Sequence, residues 1–183
     1  MIIVTGIRSG TSLMMQTLSL LGVPLTGLDF HREFSHRDLN PKGYWALPMS
    51  ETLGGIQHHR FAGTAVKLGG ADLAQTPPAF VRKVIWCRRD ERDCKESMKK
   101  LLAANEDWTG LAASDELVDM VYRANELYTL KFLKENGVDR IEIFYEDMVT
   151  KSEETLTSLC VFLDIAEELT MSIDTIAREA SCR

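Results

Sequence analysis

Cysteine is scarce in this chain. Four of the 183 residues are cysteines (Cys87, Cys94, Cys160 and Cys182), and none sits in a Cys-x-x-Cys pair. That excludes a disulfide scaffold and zinc-type ligand spacing, so no metal site is expected; reduced thiols in a cytosolic compartment fit. No apolar run reaches membrane-spanning length. The longest apolar region, Leu13 to Leu28, is interrupted by Gln16, Thr17, Ser19 and Thr26, so no membrane span is expected. The opening Met1-Ile2-Ile3-Val4-Thr5-Gly6 meets Arg8 too soon to read as an export signal. There is no basic excess. Lys and Arg number 21 against 27 Asp and Glu, a net charge of −6, which argues against a general nucleic-acid binder but leaves room for a local basic pocket. Repeats and low-complexity tracts are absent. Ser9 and Ser12 lack the Gly-x-Ser-x-Gly context of a hydrolase elbow.

Hydrophobic residues make up 45% and charged residues 26% of the chain, an ordinary globular composition. The length predicts one domain over residues 1–183. Ile2 to Thr5 is a β-branched run that predicts a buried strand, followed by a turn over Gly6–Gly10 and a helix over Thr11–Leu21 that stops at Gly22. Further strands are predicted at Val23–Thr26, Thr64–Leu68, Val84–Cys87 and Ile141–Tyr145. Helices are predicted at Pro48–His59, Asp90–Ala104, Ser114–Asn136 (Ser114 as cap), Ser152–Leu163 and Leu169–Ala180. Strands alternating with helices imply an α/β fold, a parallel sheet covered on both faces. Ligands of such sheets bind beyond the carboxyl ends of the strands. That directs attention to the segments after Thr5, Leu68, Cys87 and Tyr145.

The first of these segments is Gly6-Ile7-Arg8-Ser9-Gly10-Thr11-Ser12. It joins a strand to a helix N-terminus, where successive N–H groups and the helix dipole favour an anion. Ser9, Thr11 and Ser12 add hydroxyl donors, and Arg8 adds a permanent charge with a planar donor fork. A Walker A loop would have lysine after its second glycine; here Thr11 follows Gly10, which counts against a nucleoside triphosphate.

Together with later segments this loop resembles the PAPS-dependent sulfotransferase family (PAPS is 3′-phosphoadenosine-5′-phosphosulfate), in its bacterial type. Gly6 to Leu13 is similar to the family's 5′-phosphosulfate loop, in which Lys or Arg precedes Ser-Gly-Thr. Asn40-Pro41-Lys42-Gly43-Tyr44-Trp45 resembles a segment of bacterial members. Val84 to Asp90 with Ser97 resembles the 3′-phosphate motif, an Arg after a strand and a Ser eight residues on. Phe144 to Met148 and Phe162 to Ile165 resemble a late strand and helix of the family. The resemblance implies a three-layer P-loop-type fold with a central parallel β-sheet flanked by helices. It implies a transferase that moves a sulfuryl group from PAPS to a hydroxyl, or second in order an amine, of a small-molecule or glycan acceptor, with no metal. By the same resemblance Ser9, Gly10, Thr11 and Ser12 would hold the phosphosulfate. Arg8 would act on the bridging oxygen, and Arg89 and Ser97 would bind the 3′-phosphate. Arg88 is the neighbouring alternative to Arg89.

The chain also departs from the family. The histidine that follows the third strand in cytosolic relatives is missing at Leu68-Gly69-Gly70, and Ala46 stands where bacterial relatives often have an acid. No Gly-rich basic segment of the kind that covers the nucleotide in cytosolic relatives precedes Arg183. The general base is therefore sought among Asp29, His31, Glu33 and His36. Glu33 is the first choice, since some relatives place a glutamate about two dozen residues beyond the loop Arg. Lys67 is an alternative source of leaving-group charge. Trp45 and Trp108 are possible stacking platforms for the acceptor. Two other functions fit parts of the sequence. One is a P-loop phosphotransferase with Glu146 and Asp147 on Mg²⁺; the other is a degenerate, non-catalytic nucleotide-binding module.

Overall fold

The computed structural model describes residues 1–27, 57–104 and 114–165. The expected helices over Leu169–Ala180 and most of Pro48–His59, the Asp29–His36 cluster, Asn40–Trp45, Trp108 and Cys182 lie outside the described residues. Among the described residues, five parallel strands form one sheet. They are β1 (Ile2–Thr5), β2 (Leu25–Thr26), β3 (Ala65–Leu68), β4 (Lys83–Arg88) and β5 (Arg140–Phe144), in the order β2-β3-β1-β4-β5. The helices are α1 (Thr11–Leu20), α2 (Gly70–Gln75), α3 (Glu91–Ala104), α4 (Asp115–Asn136), α5 (Tyr145–Thr150) and α6 (Ser152–Leu163). No helix among the described residues is long and apolar enough to cross a membrane.

The sheet is apolar on both faces because helices cover both. Alternation along the strands sorts the side chains. Val4, Ala65, Ile85, Cys87 and Ile143 face α1, α5 and α6, packing on Leu13, Met14, Leu18, Met148 and Leu159. Ile3, Val66, Leu68, Val84 and Trp86 meet Leu73 of α2 and Phe132 and Leu133 of α4 on the other side. This is the expected α/β architecture, with β1 central and buried.

Local chemistry sets the helix ends. Ser114 Oγ accepts a hydrogen bond from Leu117 N (3.2 Å), the predicted cap of α4. Gly22, at φ 75°, closes α1. Its N–H reaches Ser19 O and that of Val23 reaches Leu18 O, so Val23 belongs to the helix stop and β2 shrinks to two residues. Tyr145 opens α5 rather than ending β5.

Helix α2 escapes sequence reading because six residues carry too little periodicity. Its Gly69-Gly70 start looks like a flexible turn, but Gly70 is a packing residue. Gly70 N donates to Asn125 Oδ1 (2.7 Å), and a Cβ at Gly70 would lie 2.3 Å from the Asn125 carbonyl oxygen. Gly70→Ala gains helix propensity but pushes α4 away from α2. Overpacking of this kind outweighs the propensity and should destabilise by about 1–3 kcal/mol. Urea unfolding of the variant checks this; unchanged stability would mean that α4 yields freely.

Candidate functional site

β1 lies between β3 and β4, and the chain leaves it toward β2 and β3 before crossing to β4 and β5. This is a topological switch point, and the crevice beyond the carboxyl ends of β1 and β4 is the natural ligand position. The Gly6–Gly10 loop occupies that edge. Its backbone is unusual: Gly6 (φ 128°), Arg8 (φ 52°) and Gly10 (φ 89°) all have positive φ. Arg8 is a non-glycine residue in the left-handed region, a conformation found in backbone concavities that bind anions. Gly10 then caps α1 without any side-chain hydrogen bond, so no cap competes with an anion for the first-turn N–H groups. Ser9 is buried, and its Oγ has no hydrogen-bond partner among the described residues. A buried hydroxyl of this kind calls for a polar partner.

Two cations reach the loop. Arg8 Nε donates to Ser97 Oγ on α3 at 3.0 Å, which joins the expected phosphosulfate loop to the expected 3′-phosphate serine. Lys67, near the carboxyl end of β3, donates from Nζ to Ser12 Oγ at 3.2 Å. Burial, with the Arg8 charge beside it, holds the Lys67 ammonium down to about 8. Below it, burial pushes the Cys87 thiol up to about 12 despite the pull of Lys67. Cys87, Cys94 and Cys160 are free thiols.

The two neighbouring arginines part company. Arg88, still on β4, stacks over Trp86 (4.2 Å to the ring centroid) and lies 3.5 Å from both Glu126 and Glu142. Arg89, just past the strand end, sits over the Tyr145 ring (4.6 Å) and pairs with Asp93 at 3.2 Å. Its Nε is buried without a partner among the described residues. Asp93 and Ser97 follow it on one face of α3, as the spacing predicts.

Tyr145 is the neighbour that sequence reading missed. A Cβ on Gly10 would stand 2.7 Å from Tyr145 Cδ2, so the ring presses on the loop while carrying Arg89 on its face. The available signal was its place at the end of β5, on the ligand-binding edge of the sheet. Of the predicted residues, Arg8, Ser9 and Gly10 thus lie on the loop, Thr11 and Ser12 on the first turn of α1, Arg89 just past β4, and Ser97 on α3, where it meets Arg8. Asp29, His31, Glu33 and His36 lie outside the described residues. Asp147, considered for Mg²⁺, pairs with Lys151 at 3.2 Å.

Residues 81–168 match the family described as "Sulfotransferase family". The match takes in β4, Arg89, Ser97 and Tyr145 and leaves out the Gly6–Ser12 loop. No curated protein matches the chain. Among solved structures, the fold matches the sulfotransferase STF9 from Mycobacterium avium with a TM-score of 0.60 and 12% identity. The match covers 97% of this chain and 66% of that one, so the chain spans about two thirds of that protein's length.

The desolvation of the Lys67 ammonium makes stability depend on pH. Its folded pKa of about 8 lies below the ordinary 10.5. Between those values the unfolded chain binds more protons, so this residue makes stability rise with pH there; the full penalty applies below 8. At 1.36 kcal/mol per pH unit the penalty is about 3 kcal/mol. Lys67→Met should therefore be the more stable protein at pH 7, by up to about 3 kcal/mol. Its advantage should shrink as the pH rises past 8 toward 10.5. Urea unfolding of both proteins at pH 7 and 9.5 tests this, and an advantage independent of pH would refute it.

Proposed function

The match over residues 81–168 and the shared fold support a sulfotransferase family, and from that premise we propose that this chain transfers a sulfuryl group from PAPS to a hydroxyl of a small-molecule or glycan acceptor. The observation that carries the proposal is the Arg8–Ser97 hydrogen bond. It joins the Gly6–Ser12 loop, with its permanent cation, to the segment that begins 81 residues later at Arg89, and so supports reading the two as one anion site. A ligand with anionic groups at two ends suits that arrangement. Ser9 Oγ and Arg89 Nε, buried and without a hydrogen-bond partner among the described residues, fit such a ligand as well.

PAPS, when bound, supplies an activated sulfuryl group on a phosphate leaving group. The acceptor oxygen then forms its bond to sulfur as the bridging S–O bond breaks, and the acceptor proton passes to a base. The chain's residues divide this work. The curled N–H groups of Ser9 to Ser12 and the start of α1 bind the 5′ end. Arg8 and the Lys67 ammonium place positive charge where the bridging oxygen gains negative charge, the interaction that strengthens most in the transition state. Arg89, steadied by the Tyr145 ring and Asp93, reads the 3′-phosphate with the Ser97 hydroxyl. The base is proposed within Asp29 to His36, with Glu33 first and Asp29, His31 and His36 after it.

Arg8→Ala should lower turnover by about 10²- to 10³-fold while binding of the product nucleotide changes less. Arg89→Ala should instead lose most of the preference for adenosine 3′,5′-bisphosphate over 5′-AMP, about 1.5–3 kcal/mol. Calorimetry with both nucleotides and with ATP·Mg²⁺ separates the readings: preference for ATP·Mg²⁺ would favour a phosphotransferase, and no binding of any would favour a degenerate module.

For the base, Glu33→Gln should reduce the rate about 10²- to 10⁴-fold and leave adenosine 3′,5′-bisphosphate affinity intact, because a base touches the acceptor rather than the nucleotide. Full turnover in Glu33→Gln, Asp29→Asn, His31→Ala and His36→Ala alike would move the base outside this segment.

A further inference from the structure

Helix α4 is apolar on two sides. Its inner side buries Val118, Tyr122, Phe132 and Leu133. On its outer side Met120 is 60% and Leu127 64% exposed, with Leu130 at 51% beside them. Single exposed apolar residues are ordinary, but these are in register. Glu116, Met120, Arg123, Leu127, Leu130 and Lys134 follow the alternating four-and-three spacing of a helix–helix seam.

The charges along this seam are graded. Glu116 stands at its start, and Lys131 and Lys134 at its end. None of the three has an ion pair among the described residues. The other acids near its start are already taken, Asp115 by Lys99 and Asp119 by Lys95 and Arg123. A second copy laid antiparallel sets each Glu116 against the partner's Lys134 and each Met120 against the partner's Leu130, while Leu127 packs on the aliphatic stem of the partner's Arg123, whose guanidinium is held by Asp119. Two-fold symmetry makes every such contact twice. A parallel copy would set like charge on like.

We propose that this chain self-associates through the outer face of α4, as an antiparallel two-fold pair. One 22-residue helix presents less than the roughly 800 Å² per partner of a standard interface, so the pair is reversible and concentration-dependent. The face is independent of the anion site and of its proposed chemistry.

Sedimentation equilibrium over about 1 to 500 micromolar protein tests this. The expected mass rises from 20.6 kDa toward twice that value. Leu127→Glu should hold the mass at the monomer value throughout, with an unchanged thermal transition, since the side chain is exposed. Glu116→Lys should weaken the pair about tenfold or more, and adding Lys131→Glu and Lys134→Glu should restore it, because the charge gradient is then exchanged rather than lost. A wild-type chain that stays monomeric, a dimer indifferent to Leu127→Glu, or an exchange that recovers nothing would each overturn the proposal.

Discussion

A Cβ on Gly6 would lie 2.4 Å from the Cys87 carbonyl oxygen and 2.3 Å from Ser9 Oγ. The backbone of the first loop is therefore pressed against the end of β4, and only glycine passes there. With φ at 128°, the same residue turns the chain out of β1 in a direction that side-chain-bearing residues rarely take. This close passage holds the candidate site together. It seats the loop on the β1–β4 edge, sets Arg8 within 3.0 Å of Ser97, and leaves Gly10 beneath the Tyr145 ring. A bulkier residue at position 6 would lift the loop from β4 and separate Arg8 from Ser97.

Around that contact the protein concentrates positive charge in a chain that is acidic as a whole. Arg8 and Lys67 are close enough for the Arg8 charge to lower the Lys67 pKa. Like charges brought together out of water cost stability, and the lowered Lys67 pKa reflects that cost. The nearby Arg88 carries the same formal charge but spends it on Glu126, Glu142 and the face of Trp86. Formal charge alone does not separate two adjacent arginines; position relative to the strand end does, because side chains alternate across the sheet and Arg89 has already left it.

Several features of the fold are legible in the sequence. The apolar runs of β1, β3 and β4, the cap at Ser114, the stop at Gly22 and the full span of α6 follow from periodicity and local turn chemistry, which act over a few residues. The Gly6–Ser12 loop was legible for the same reason, since a short β-branched strand, a glycine turn and a polar helix start are neighbours in the chain. The eight-residue interval from Arg89 to Ser97 likewise follows from helix geometry. Less was visible where an element is short or its role is distant. Helix α2 has six residues, and Gly70 there answers to Asn125, 55 positions away.

The sequence by itself determined the parallel α/β class and the strand–glycine turn–helix start over Gly6–Ser12, because hydrophobic spacing and backbone conformational limits are local. Only the tertiary structure decided that Arg8 bonds to Ser97, that Lys67 lies beside Ser12, and that Tyr145 backs both Gly10 and Arg89. Those contacts come from the order in which parallel strands meet side by side. That order depends on packing across the whole sheet, and no window of neighbouring residues contains it.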